Sequence, residues 1–257
     1  MTDAGPLMEI SEHVDALEEQ GGLLARTAER LDLDLFVPTC PEWKLRDLLN
    51  HLGDVHRWAT SYVSTGRTTM MTDDEDDVFF DIVRPGDAEL LDWFRKGLGA
   101  LTGSLRAAPA DLGCWSFLPA PSPLAFWARR QAHETTMHRV DVESVTGALT
   151  PLSPAFAADG IAELLFGFAA RGRKLLRDPA RTMAVEATDT ADRWLLELGT
   201  ERVVASSGPG PADCTIRGSA ADLYLALWNR LPVGPLTTGG DANVFAGFRE
   251  TLRIRWT

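Results

Sequence analysis

Apolar residues return every three or four positions along most of the first 145 residues, the spacing of helices that bury one face. A first helix is predicted over residues 11–31, with Val14, Leu17, Leu23, Leu24 and Ala28 as its apolar set and Gly21 and Gly22 as weak points in its middle. Thr39-Cys40-Pro41-Glu42 reads as a capping box, with Thr39 as N-cap and Pro41 in the first turn, so a second helix is expected over residues 41–64. Its broad apolar face carries Leu45, Leu48, Leu49, Leu52, Val55, Trp58 and Tyr62. Residues 65–87 read as a connection. The acidic run Asp73 to Asp77 within it lacks the glycine turn of a calcium loop and is expected to be a solvated loop. A third helix is predicted over residues 87–105. After a Pro-rich passage at 109–123, a fourth is predicted over residues 126–145, a stretch without Gly or Pro. Four helices with two long connections predict a bundle in which the second and fourth face each other across a shared core.

The pattern changes after GALTPLSP at 147–154, which marks the expected boundary between a domain of residues 1–150 and one of residues 151–257. One more helix is predicted over residues 154–176. Short alternating runs then follow, TMAVEAT, RWLLEL, ERVVA and CTIR, and they read as strands. Ser219 is placed to cap a helix through Arg230, and Gly239-Gly240-Asp241 precedes a last helical stretch. The fold class is therefore α+β: a helical bundle followed by a small domain with an antiparallel sheet.

The fourth helix holds the chemistry. Glu134 and His138 lie one turn apart on a face shared with Trp127, Gln131, Val142 and Val145. A carboxylate and an imidazole on an inward face either satisfy each other as a buried pair or point at a metal ion. HExxH is absent: His133 and His138 are one residue too far apart, about 140° around a helix, to share an ion. A third ligand would have to come from the second helix. There His51 lies beside Leu48, Val55, Trp58 and Tyr62, and His56 lies on the opposite margin, nearer Leu45 and Leu52; periodicity does not choose between them. Arg230, at the end of an apolar helix, either caps helix carbonyls or clamps a carboxylate ligand with its planar fork.

Composition narrows the partners. A net charge of −12 argues against a nucleic-acid or anionic-membrane surface and leaves a small molecule as the expected partner. No apolar run is long enough to span a bilayer, and the acidic start MTDAGPLMEISEHVDALEEQ does not read as a signal peptide, so a cytoplasmic location is expected. Three scattered cysteines, Cys40, Cys114 and Cys214, show no CxxC spacing and suggest neither a disulfide framework nor a thiolate cluster. Gly-Xaa-Ser-Xaa-Gly and phosphate-binding glycine loops are also absent.

Val37-Pro38-Thr39-Cys40-Pro41 followed by HLGDVHRW (residues 51–58) and ARRQAHETTMHRVDVE (residues 128–143) resembles the actinobacterial mycothiol-dependent maleylpyruvate isomerase family, part of the wider DinB-like metalloenzyme group. AADGIAELL (157–165), GSAADLYLALWNR (218–230) and Gly240-Asp241 look like that family's C-terminal domain. The resemblance implies a DinB-like four-helix bundle binding a divalent metal, usually zinc, through His51, Glu134 and His138. It also implies an arginine, aligned with Arg230, that helps bind substrate or thiol. The implied activity is a metal- and mycothiol-dependent one, either cis–trans isomerisation of a maleylpyruvate-like substrate or S-transfer to an electrophile. A non-catalytic small-molecule binder and a metal-assisted hydrolase are the alternatives carried forward.

Overall fold

The computed structural model describes residues 8–72, 74–75, 84–230 and 235–254. Asp73, Asp76 and Asp77 of the acidic run lie outside the described residues; within it, Glu75 pairs with Arg67 at 2.7 Å. The described residues divide into two compact units, one within residues 9–150 and the other made up mainly of those from 151 onward.

The first unit contains helices α1 (Ile10–Ala28), α2 (Leu45–Thr65), α3 (Asp87–Ala107) and α4 (Pro123–Ser144). Leu24, Ala28, Leu45, Leu48, Leu49, Leu52, Leu90, Phe94 and Val142 form a buried apolar core contributed by all four. α1 runs unbroken through Gly21 and Gly22. Gly21 is where α3 presses close: a Cβ there would lie 2.4 Å from Leu98 Cδ2, so the residue that weakens the helix in isolation admits its neighbour.

The expected start of the second helix needs correction. Residues 36–37 and 40–44 form a small antiparallel hairpin, β1 (Phe36–Val37) and β2 (Cys40–Lys44), and α2 begins only at Leu45. Asp47 accepts the Lys44 N–H at 2.9 Å and so fills the capping role expected of Glu42. Thr39 caps nothing. Its hydroxyl donates to Asp141 on α4 at 2.6 Å. The fourth helix starts as its sequence suggests, with Ser122 Oγ accepting the Ala125 N–H at 3.1 Å and Pro123 in the first turn. Its burial does not follow the single face expected of it: every residue from Arg130 to Glu143 is buried, the charged ones included.

In the second unit, α5 (Pro154–Ala162) passes into a wider π-type turn at Glu163–Phe168 and then short 3-10 turns, so the expected helix over 154–176 is regular only in its first part. Strands β3 (Arg181–Ala187), β4 (Arg193–Leu198), β5 (Val203–Ser207), β6 (Cys214–Gly218) and β7 (Thr237–Gly240) form a sheet in the order β5-β4-β3-β6-β7. Helices α6 (Ala220–Leu227) and α7 (Ala242–Thr251) belong to the same unit, with Leu223, Tyr224, Leu227 and Phe248 in its core. The antiparallel reading holds for every pair but one: β3 and β6 run parallel, Met183 opposite Cys214 and Ala187 opposite Gly218. Alternation reports which face a residue occupies and carries no strand direction.

α2 and α3 interlock through small residues. The Arg57 guanidinium lies 3.7 Å from the Trp93 ring centre, and a Cβ on Gly53 would meet that ring at 2.0 Å. Gly53→Leu should therefore lower unfolding stability by about 1–3 kcal/mol through overpacking. Urea denaturation checks this, and an unchanged midpoint would contradict the interlock.

Candidate metal centre

α2 and α4 run antiparallel and are held together by aromatic rings. The ring centroids of Trp58 and Trp127 are 5.2 Å apart; Tyr62 stacks on Trp127 at 5.2 Å, and Trp127 Nε1–H donates to the Trp115 carbonyl at 2.8 Å. Trp58 lies two turns after His51, and Trp127 two turns before Glu134. Ring packing at one end thus sets the helix separation where His51 meets Glu134.

At that level, three side chains converge. Glu134 Oε1 is 3.5 Å from His51 Nε2 and 3.2 Å from His138 Nε2, and each of the three residues offers a ligand atom within 4.8 Å of those of the other two. Glu134 and His138 are buried; His51 is a little more open. The opposite nitrogen of His138, Nδ1, lies 2.9 Å from Asp141 Oδ2. A carboxylate oxygen can only accept, so Nδ1 carries a proton, and whenever the ring is neutral its Nε2 presents a lone pair to Glu134. Glu134 Oε1 and His51 Nε2 form no hydrogen bond among the described residues. Glu134 Oε2, by contrast, accepts from the buried Arg130 at 3.2 Å.

An acceptor facing an acceptor in a buried site requires positive charge between them or on one of them. The proton affinities register this demand. Burial alone would raise the Glu134 carboxyl, but the close imidazoles of His138 and His51 and the charge of Arg130 hold it well below the usual range. Burial alone would lower His138, yet Asp141 and Glu134 raise it to about 9. His51 is lowered, chiefly by burial. A divalent cation meets the same demand with the donor set it prefers. Ligands about 2.0–2.1 Å from a tetrahedral ion stand about 3.3–3.4 Å apart, close to the two separations seen here.

His56, the other candidate on α2, has a different environment. It is fully buried, its Nε2 lies 2.9 Å from Thr135 Oγ1, and burial lowers its pKa to about 3. It is a neutral core histidine. Arg230 stands in the second unit, where its Nη1 donates to the Trp228 carbonyl at 3.1 Å, as a helix-capping arginine does. Burial pushes the Cys114 and Cys214 thiols up, while Cys40 Sγ lies 3.6 Å from Asp141 Oδ2.

Sequence reasoning missed Asp141, Thr39, Arg130 and Trp43. The first three surround the ligand set as described; the Trp43 ring lies 4.9 Å from the His51 ring and 6.0 Å from that of His138, forming one wall of the site. Asp141 carried a legible signal, since it follows His138 by three residues and so shares its helix face. Thr39 and Trp43 reach the site from a hairpin in place of the expected helix start, and nothing in their spacing points there.

Residues 14–143 match the family described as mycothiol maleylpyruvate isomerase N-terminal domain, and residues 155–247 match the MDMPI C-terminal domain. Among solved structures, the chain is similar to the crystal structure of the mycothiol-dependent maleylpyruvate isomerase at 13% identity and a TM-score of 0.63, over 90% of this chain and 93% of that one. A histidine-to-alanine mutant of that enzyme matches over the same shares at 13% identity and a TM-score of 0.62. At this identity the likeness speaks for the fold. No curated protein matches the sequence. No helix among the described residues is long and apolar enough to cross a membrane.

The state of His56 has a consequence for stability. Its proton affinity falls on folding, so between about pH 6.5 and about 3 the unfolded chain binds the extra proton and stability declines as pH falls. The decline from this one group is about 1.4 kcal/mol per pH unit inside that window. Urea denaturation at pH 7 and pH 5 should show a smaller acid loss in His56→Gln than in the wild type. Equal losses would mean that His56 is not held neutral.

Proposed function

The chain belongs to the mycothiol maleylpyruvate isomerase family, and on that premise we propose that it is a metal- and mycothiol-dependent enzyme whose divalent ion, zinc, is held by His51, Glu134 and His138. The observation that carries the reading is the convergence of three lone-pair atoms at a buried point where two of them form no hydrogen bond. When bound, the ion supplies the charge that lets a thiol ionise near neutral pH, giving a nucleophile able to turn the double bond of a maleylpyruvate-like substrate transiently into a single one.

The chain's own residues prepare this chemistry. His51 and His138 offer their Nε2 atoms, and Asp141 keeps the His138 proton on Nδ1. Arg130 occupies Glu134 Oε2 and so leaves Oε1 directed at the two imidazoles. The Trp43 ring covers one side of both imidazoles. Cys114 and Cys214, with raised thiols, are poorly suited to act as the nucleophile, which supports a sulfur brought by a cosubstrate. Arg230 is proposed, on family likeness, to recognise a carboxylate in addition to its capping bond. S-transfer to an electrophile would use the same arrangement. Hydrolysis would need water in place of thiol.

Metal analysis of protein purified without chelator should find close to one divalent ion per chain, lost in His51→Ala and Glu134→Ala and retained in His56→Ala. Turnover of maleylpyruvate should require both that ion and added mycothiol. A metal-free wild type overturns the proposal, and turnover independent of thiol moves the activity to the hydrolase class. Ligand-induced stabilisation without any turnover indicates a binding protein.

A further inference from the structure

We propose that the turn of the β1–β2 hairpin is a positioning device for the His138 imidazole, acting from Thr39 through Asp141. The inference rests on the reading of His138 as a metal ligand and concerns residues outside the ligand set.

Asp141 is fully buried, and both of its carboxylate oxygens are committed. Oδ2 receives His138 Nδ1–H at 2.9 Å, and Oδ1 receives the Thr39 hydroxyl proton at 2.6 Å. Ser144 Oγ lies 3.4 Å from Thr39 Oγ1, but its one proton goes to the Asp141 backbone carbonyl at 2.6 Å, so that contact adds no hydrogen bond. Thr39 is thus the hydroxyl that holds Oδ1 of the carboxylate, while its neighbour Cys40 places Sγ 3.6 Å from Oδ2. A carboxylate held at one oxygen can turn only by breaking a charge-assisted bond, and its other oxygen then sets the orientation of the imidazole and, in the neutral ring, places the proton on Nδ1.

The hairpin is anchored for this task. The Leu45 N–H bonds to the Leu35 carbonyl at 2.9 Å and the Arg46 N–H to the Leu33 carbonyl at 3.1 Å, tying the segment before the hairpin to the start of α2. Val37 pairs with Cys40 across the turn that carries Thr39. α2 supplies His51, so the hairpin ties a residue oriented toward His138 to the helix bearing the other imidazole. A purely structural role would need only that Thr39 and Asp141 pin the hairpin to α4. A positioning role makes the metal affinity and the tautomer of His138 depend on them as well.

The test compares full-length Asp141→Asn, Thr39→Val and Thr39→Ser with the wild type by competitive zinc titration against a chelator, with urea denaturation of the metal-free proteins alongside. Asp141→Asn should weaken zinc binding about 10- to 100-fold and Thr39→Val about tenfold, while Thr39→Ser stays within about twofold of the wild type. Nitrogen-15 spectra of the metal-free wild type at a pH above the His138 transition should show the proton on Nδ1, with the Nε2–H form rising in Asp141→Asn. Unchanged zinc affinity in both Asp141→Asn and Thr39→Val overturns the inference while leaving the metal site intact. Absence of zinc binding by the wild type overturns the underlying function instead. Should Asp141→Asn fail to fold, the Thr39 pair decides alone, and equal affinities for Val and Ser overturn the proposal.

Discussion

The structure depends on α4 being buried along nearly its whole length although its middle is charged. Arg130, His133, Glu134, His138, Arg139, Asp141 and Glu143 are all buried. Removing an ion from water costs several kcal/mol even after relaxation, and close-packed apolar residues would usually be the more stable choice. Such a helix survives only if each charge finds a partner inside the protein. Near its C-terminal end the partners come from α4 itself, from Thr150 just beyond it and from α1. Arg139 Nη1 donates to Glu143 and to the Thr150 carbonyl, and its Nε to Gln20 of α1; Glu143 in turn accepts the Thr150 hydroxyl and backbone N–H. That network ties α4 to α1 through Gln20.

One turn earlier, the logic is left incomplete. Glu134 and His138 have outer partners, Arg130 and Asp141, and those partners turn the remaining lone pairs inward toward His51. The aromatic contacts of Trp58, Tyr62 and Trp127 hold the two helices at the separation that brings the third donor into range. Burial, outer hydrogen bonds and ring packing all lead to one point that calls for a cation.

Much of the site was legible in the sequence because helical periodicity is local. The i, i+4 spacing put Glu134 and His138 together, and the four helices followed from apolar recurrence. His51 could not be separated from His56 in that way, since both border the same apolar face; His56 is committed to Thr135, a contact made only when α2 and α4 pack. Family likeness made the choice where geometry on one helix could not. Thr39 was misread because a hydroxyl before a proline and an acidic residue is equally good at capping a helix and at standing in a turn. Its real partner, Asp141, is 102 residues away. The parallel β3–β6 pair was hidden for a similar reason, since strand direction depends on chain path.

X-ray absorption at the zinc edge of the metal-loaded protein, with and without mycothiol, tests the central claim most directly. Without thiol, the spectrum should fit imidazole and carboxylate donors, nitrogen and oxygen scatterers at about 2.0–2.1 Å. With thiol, one sulfur scatterer should appear at about 2.3 Å while the imidazole signal persists. A spectrum unchanged by mycothiol, or one without imidazole scattering, would contradict the account.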